Sequence, residues 1–290
     1  MVELGALFPQ TEIGADPGAI RAFALAAEDL GYTHLLAYEH VIGAQIDRPD
    51  RQGRRWPYTH RSVFHEPMVL YGYLAAVTRR IGLVTAILIA PQRQTVLIAK
   101  QAAAIDVLSE GRLRLGLGLG WNAVEYEALN ENFHDRGKRI EEQVQVLRAL
   151  WTEPVVSFHG RWHHIDEAGI NPLPVQRPIP IWMGGWVDPV LKRIARIADG
   201  WIVSGRPEPN IVESAVRLKD YVQEEGRDPA SVGLQGAVLV RTGGPEQWRQ
   251  DYETWRSLGA THVAVNTMGA DFTTADQHIE ALRQAKEALS

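Results

Sequence analysis

The sequence contains no cysteine, no basic excess and no long hydrophobic run, and each absence excludes a class of protein. Without cysteine the chain forms no disulfide, offers no thiolate nucleophile and holds no cysteine-ligated metal. The net charge of −5 argues against nucleic acid as a partner, because phosphate binding needs a concentrated basic surface. No stretch reaches the ~18 apolar residues of a membrane-spanning helix. Since the amino terminus reads as a strand without a basic leader, we expect a cytoplasmic protein.

Apolar segments alternate with amphipathic ones along all 290 residues. Eight apolar strands are predicted, each followed by a helix with one polar face, which is typical of a parallel sheet covered by helices. The predicted strands cover residues 2–8, 33–38, 81–89, 112–117, 179–183, 201–204, 232–240 and 262–266. Eight such units favour a single α/β domain over residues 1–290, a closed (β/α)8 TIM barrel. The first turn lacks G-x-G-x-x-G, which disfavours a dinucleotide-binding fold.

Helix signals support the same alternation. Asp16 and Pro17 predict a capped helix start, and Gly31 predicts its end. The pair Asp188-Pro189 predicts another capped start. A later helix carries three aromatic residues that leave room for a homodimer, although their helical spacing fits a core face better: Trp248, Tyr252 and Trp255.

Two long insertions interrupt the alternation, residues 41–65 after the second strand and residues 155–177 before the fifth. The first follows the carboxyl end of a strand, where barrel active sites lie, so we expect it to form part of a pocket wall. Its arginines could steer an anion, although a solvated loop is the simpler interpretation: Arg48, Arg51, Arg54, Arg55 and Arg61.

The second insertion carries a predicted hairpin, with residues 155–158 paired with residues 162–165. Four potential metal ligands fall on it: His159, His163, His164 and Asp166. They alternate across the two strands, so they do not face one point and a metal site is disfavoured.

Active sites of such barrels are assembled from side chains at the carboxyl ends of strands. His40 stands beside Glu39 at the end of the second strand. Histidine as a residue type titrates near neutrality, which suits proton donation or hydrogen bonding to a bound ligand. A structural histidine bonded to backbone fits the same position. The fourth strand runs into Gly116, Gly118 and Gly120, where missing side chains let a flat ligand approach the backbone. Glycines also ease packing at strand ends, so that alternative stays open.

Gly184 and Gly185 end the fifth strand directly before a helix. Backbone N–H groups at such a turn form a ready anion site. A tight turn without a ligand explains the same pair, so the sequence leaves both interpretations open.

Several segments together resemble the luciferase-like oxidoreductases. They are residues 37–40 (AYEH), 88–91 (LIAP), 109–121 (SEGRLRLGLGLGW), 136–139 (RGKR), 178–185 (PIPIWMGG) and 198–201 (ADGW), with Trp162. None is specific alone, but in this order they span nearly the whole chain. The nearest subgroup uses coenzyme F420, a deazaflavin that transfers hydride, and FMN-dependent monooxygenases are close relatives.

The resemblance implies roles for particular positions. Glu39 and His40 match an acidic-His pair that faces the flavin or deazaflavin ring, and would be catalytic. A non-proline cis peptide often lies behind the ring in such proteins, and here it is expected between Ala86 and Ile87. The positions that match the backbone beside the ring and the phosphate-binding turn are Gly118, Leu119, Gly120, Gly184, Gly185 and Trp186.

Two positions depart from the pattern. Related sugar-phosphate dehydrogenases carry a glutamate directly after the third glycine, where this chain has Trp121. A proton donor is therefore missing from the expected place, and Trp121 in the substrate pocket favours a larger or more apolar organic substrate. The tryptophan that such enzymes carry four residues beyond the histidine is Ala44 here.

The resemblance implies an oxidoreductase that moves hydride between coenzyme F420, or alternatively FMN, and a small organic molecule. A two-component monooxygenase, supplied with reduced FMN by a separate flavin or deazaflavin reductase, is the second interpretation. A non-catalytic flavin-binding barrel is the third. A cofactor-free isomerase or hydrolase would need a pair of carboxylates or lysines at strand ends, and only Glu39 lies there. The substrate and the oligomeric state are left open.

Overall fold

A computed structural model describes residues 2–45 and 57–290. Arg48, Arg51, Arg54 and Arg55 lie outside the described residues. The strands are β1 (Glu3–Leu7), β2 (His34–Ala37), β3 (Gly82–Thr85), β4 (Leu88–Ile89), β5 (Leu113–Gly118), β6 (Val156–His159), β7 (His164–Ala168), β8 (Ile181–Gly184), β9 (Gly200–Ile202), β10 (Gly233–Leu239) and β11 (His262–Asn266).

Eight of these strands form a closed parallel barrel. β1 pairs with β2 and β11, and the series continues through β10, β9, β8 and β5. β3 pairs with β2 on one side and with β5 on the other, which closes the ring. The predicted (β/α)8 barrel is confirmed, and each of the eight predicted strands corresponds to one barrel strand. Their carboxyl ends therefore meet at one mouth.

The helices are α1 (Gln10–Ile13), α2 (Pro17–Asp29), α3 (Pro67–Val77), α4 (Thr95–Leu108), α5 (Ala123–Ala128), α6 (Arg136–Thr152), α7 (Asp188–Ile197), α8 (Pro209–Glu224), α9 (Pro245–Ser257) and α10 (Ala275–Leu289). The eight predicted helices are present. The two short helices α1 and α5 were not predicted, because four to six residues are too few to show a helical period. Both follow the carboxyl end of a barrel strand.

Local signals fixed one helix start correctly and another wrongly. The carboxylate of Asp16 accepts hydrogen bonds from the backbone of Gly18 and Ala19, at 3.1 and 3.2 Å, and so caps α2. Asp188 was predicted to cap α7, and this prediction is wrong, because Asp188 is the first residue of the helix. Its carboxylate instead accepts a hydrogen bond from Arg217 Nη1 at 2.6 Å.

The third predicted strand is interrupted after Thr85. The peptide bond between Ala86 and Ile87 is cis, as predicted. After these two residues, β4 resumes the pairing with β5 at Leu88. The predicted hairpin is also confirmed, as the antiparallel pair β6 and β7, with its second strand starting two residues later than predicted. Its turn lies beside the first turn of α4 and the second turn of α6, since His163 bonds to Thr95 and Glu142.

Two apolar layers hold the barrel. The larger lies between strands and helices and includes Trp248 and Trp255, which confirms the core interpretation of these aromatics. The smaller fills the barrel interior and is made of Leu7, Leu36, Val84, Ala86, Trp182, Ile202 and Ala264. Within the two described ranges, no helix combines the length and the apolar character that crossing a bilayer requires.

Candidate functional site

The mouth of the barrel brings together three neighbouring strand ends. His40 follows β2, Ile87 follows β3, and the glycine run ends β5. Because β2, β3 and β5 are adjacent in the barrel, these segments lie at one edge. Beside the end of β2 lies an open cavity of about 230 Å³, which is lined by residues 40–43 and by the described end of the first insertion, including Tyr58 and Phe64. The described ends of the first insertion thus form a pocket wall, as predicted.

His40 is held between aromatic rings. The ring of Tyr58 stacks on it with centroids 3.5 Å apart and planes inclined by 30°. Phe64 meets the same imidazole edge-on at 4.7 Å, and Trp121 stands 6.2 Å away, with 48 % of its surface exposed. Nδ1 of His40 lies 3.2 Å from a carboxylate oxygen of Glu125, whereas Nε2 has no hydrogen-bond partner in the described part of the chain. One nitrogen is therefore anchored and the other is available.

Glu125 is the acidic residue that sequence reasoning missed. It lies in α5, and its side chain is 1 % exposed. Besides His40, its carboxylate accepts hydrogen bonds from the backbone of Val41 at 2.9 Å and from Gln92 Nε2 at 3.2 Å. No signal in the sequence indicated it, because α5 has six residues and was not predicted.

Glu39 is buried but faces away from this cavity. Its carboxylate accepts hydrogen bonds from the guanidinium of Arg93 and from the backbone N–H of Ile89. Arg93 Nη2 also bonds to Glu66, the N-cap residue of α3, at 2.7 Å. Burial raises the pKa of Glu39, and the positive charge of Arg93 offsets part of this rise. These contacts fix the β3–β4 segment beside the mouth, and a catalytic role for Glu39 stays a prediction.

The glycine run makes room for other side chains of the protein. A Cβ atom at Gly118 would overlap Cδ1 of Ile87, and one at Gly116 would overlap the carbonyl oxygen of Thr85. Gly120 has a φ of +63°, and a Cβ there would lie 2.8 Å from Ile89. The packing interpretation of these glycines is therefore supported, and the open slot predicted above Gly118 is filled by Ile87. Half-buried Ile87 itself lies at the edge of the apolar barrel interior.

This packing makes a stability prediction. Gly118→Ala should lower the free energy of unfolding by about 1–3 kcal/mol, because a well-packed site must shift to admit the methyl group. Chemical denaturation would measure the change. Gly72→Ala is the matched control: the space around Gly72 in α3 is open, so alanine should stabilise the helix by about 0.5–1 kcal/mol. Equal effects at both positions would contradict the packing account.

After β8 the chain turns at the two glycines that were predicted to form an anion site. Gly185 has a φ of +119°, and its carbonyl accepts a hydrogen bond from Trp201 at 2.7 Å. α7 begins three residues later without a side-chain cap. The negative charge of Asp188 is balanced by Arg217, and Trp186 is 57 % exposed beside them. The carboxylate at the start of α7 is thus paired, and the anion site at this turn stays a prediction.

Other positions that the sequence singled out lie near or outside this site. Ala44 is buried, and its carbonyl accepts a hydrogen bond from the backbone of His60. The carbonyl of Leu119 accepts the hydroxyl of Tyr126 at 2.6 Å. His159 and His164 face each other on the exposed side of the hairpin, 2.9 Å apart. In residues 2–45 and 57–290, no group of three or more histidine, aspartate or glutamate residues is arranged to hold a metal ion.

Comparison with known proteins identifies one family for nearly the whole chain. A family model described as luciferase-like monooxygenase matches residues 4–289. An uncharacterized protein of Mycobacterium tuberculosis is 34% identical over 212 residues, covering 70% of this chain and 71% of its own. An FMNH2-dependent dimethylsulfone monooxygenase of Pseudomonas fluorescens is 33% identical over 183 residues, which cover 61% of this chain and 49% of that protein.

Solved structures share the fold at low identity. The monooxygenase RslO1 from Streptomyces bottropensis has a TM-score of 0.79 at 20% identity, covering 99% of this chain and 98% of its own. An F420-dependent secondary alcohol dehydrogenase in complex with an F420-acetone adduct has a TM-score of 0.78 at 15% identity, covering 100% and 99%. At these identities the likeness shows the barrel and its connections.

Proposed function

Because this chain belongs to the luciferase-like monooxygenase family, we propose that it is an oxidoreductase that moves hydride between coenzyme F420 and a small organic substrate. The observation that carries the proposal is the placement of His40. Its imidazole is fixed at the barrel mouth by Tyr58 and Glu125, with Nε2 left without a protein partner in the described ranges. Such a group can hold or donate one proton at a defined point.

A flat tricyclic ring would lie on the apolar surface of the barrel mouth, above Ile87. The floor is apolar, formed by the barrel interior, with Ile87, Tyr38 and Met268 half-buried or buried at its edge. Tyr38 remains protonated, since burial raises its pKa to about 12. A ring that is mostly apolar with a polar edge matches such a floor. The glycine turn before α7 would hold the phosphate of the cofactor through backbone N–H groups.

The chain's own residues supply orientation and a proton. The bound deazaflavin would supply the hydride when reduced. His40 Nε2 would donate a proton to the substrate atom that gains the electron pair, so that hydride and proton together complete a two-electron reduction. Tyr58 and Trp121 would exclude water from that side and present aromatic surface to the substrate. These surfaces favour an apolar or aromatic substrate over a sugar phosphate.

Titration of the protein with each cofactor tests the proposal. We expect F420 to bind with a Kd below ~100 μM, followed by absorbance, and the reduced form to be oxidised when an organic acceptor is added. Failure of both F420 and FMN to bind in this range would overturn the assignment.

The second candidate is a monooxygenase that receives reduced FMN from a separate reductase. It is favoured by the 33% identity to the FMNH2-dependent dimethylsulfone monooxygenase. The two candidates differ in the fate of molecular oxygen. Product formed under labelled oxygen should stay unlabelled if hydride transfer is the reaction, and should carry the label if the chain is a monooxygenase.

A further inference from the structure

We propose that Glu125 is the positioning residue of His40: it fixes the imidazole as the tautomer protonated at Nδ1 and so directs Nε2 at the substrate. This inference rests on the proposed function for its catalytic meaning. Its structural content, the tautomer and its cause, can be tested without any cofactor.

A single oxygen of Glu125 holds both the ring and the backbone of the strand end. Oε1 lies 3.2 Å from Nδ1 of His40 and accepts the backbone N–H of Val41 at 2.9 Å. Because Val41 follows His40 directly, the carboxylate restrains the residue at two points. An ionised carboxylate has no hydrogen to donate and can only accept hydrogen bonds, so the nitrogen that faces it must carry a proton.

The other contacts of Glu125 keep this carboxylate in place. Gln92 Nε2 donates to Oε2 at 3.2 Å, and the hydroxyl of Tyr58 interacts with the same carboxylate. Burial and the nearby negative charge raise the pKa of Tyr58, so its hydroxyl stays protonated and can donate to Glu125. The same hydroxyl accepts a hydrogen bond from Asn122 Nδ2 at 2.8 Å. A buried carboxylate surrounded by donors is held rigidly.

The acid that follows the glycine run in related sugar-phosphate dehydrogenases is replaced here by Trp121. Glu125 lies four residues further on, within α5, and its carboxylate contacts Nδ1 of His40. Glu39, the neighbour of His40 in sequence, is committed to Arg93 and Ile89. The carboxylate that acts on His40 is therefore Glu125, reached from another element of the fold.

The consequence for proton transfer is specific. With Nδ1–H held by Glu125, the ring gains and loses its second proton at Nε2. After donation to the substrate, the imidazole returns to the neutral Nδ1–H form, and the proton is replaced from solvent through the open cavity. A neutral ring in the other tautomer would carry N–H at Nε2 and its lone pair at Nδ1, so it would take up its second proton at Nδ1 and could not act as a base at Nε2.

Nitrogen-15 NMR of histidine-labelled protein tests the tautomer directly. In its neutral form, wild-type His40 should show a protonated Nδ1 and an unprotonated Nε2. Glu125→Ala should lose this preference, while Glu125→Gln should retain it, because the amide oxygen can still accept from Nδ1. Glu127→Gln, on the exposed side of the same helix, is the matched control and should leave the spectrum unchanged. Assignment of the signals would use His40→Gln.

Turnover gives the second readout. Glu125→Ala should lower kcat on the order of 10²-fold with little change in KM, and Glu125→Gln should restore part of it. A wild-type ring protonated at Nε2 instead would overturn the inference without any variant, even where Glu125→Ala fails to fold. Unchanged tautomer and kcat in a folded Glu125→Ala protein would overturn it as well. Failure of both cofactors to bind would instead overturn the proposed function and leave the tautomer result standing.

Discussion

Arg93→Met should lower the free energy of unfolding by about 3–5 kcal/mol at neutral pH, because it leaves Glu39 as a buried charge without its cation. The side chain of Glu39 is 1 % exposed, and it forms an ion pair with Arg93, which lies in the loop that follows β4. Chemical denaturation measures the loss. The double variant Glu39→Gln with Arg93→Met should recover a large part of it, because the charge is removed together with its partner.

The same variant should show a definite pH dependence. Burial raises the pKa of Glu39 above its ordinary value in the folded protein, even with Arg93 present. A carboxyl group whose pKa is raised in the folded protein contributes its full stabilisation below the ordinary pKa of about 4.5. This stabilisation is lost as the pH rises through the pKa of the folded state. Without Arg93 the pKa should rise further, so the destabilisation should be large at pH 7 and smaller below about 4.5. A loss that is constant with pH would contradict the account of this pair.

His40→Ala should lower kcat by about 10²–10⁴-fold, the usual contribution of a positioned general acid. The cofactor should still bind, because the apolar floor and the glycine turn do not depend on the imidazole. Steady-state kinetics and the binding titration, made on the same preparation, separate the two effects. Loss of both binding and turnover would show that His40 holds the cofactor instead of the proton.

The control for that variant is His159→Ala. His159 is exposed on the hairpin, where its Nδ1 lies 2.9 Å from Nδ1 of His164. Its replacement should leave kcat and KM unchanged. A similar loss at both histidines would contradict a specific role for His40.

The sequence was sufficient for the barrel, because eight apolar strands followed by amphipathic helices have few other folded arrangements. It also placed His40 and the Ala86–Ile87 segment near the mouth, since strand ends in a closed barrel converge. It failed where spatial contact depends on side-chain direction. Glu39 and His40 follow the last residue of β2, where no strand period sets the direction of the side chains, and they contact different partners although they are neighbours in sequence.

Other features required the three-dimensional packing. Ile87 fills the space above Gly118. No local sequence pattern indicates which neighbour occupies the space that a glycine leaves open. Tyr58 reaches His40 from the far end of a long insertion, and Glu125 from a six-residue helix too short to be recognised. Long-range contacts of this kind arise from tertiary structure and carry no period in the sequence.

One measurement tests the central claim most directly. Reduced F420 carrying deuterium at its hydride-donating carbon should be mixed with the protein and its organic acceptor under labelled oxygen, and the product analysed by mass spectrometry. Deuterium in the product without labelled oxygen is the predicted result. A product that carries labelled oxygen and no deuterium would contradict hydride transfer by this barrel.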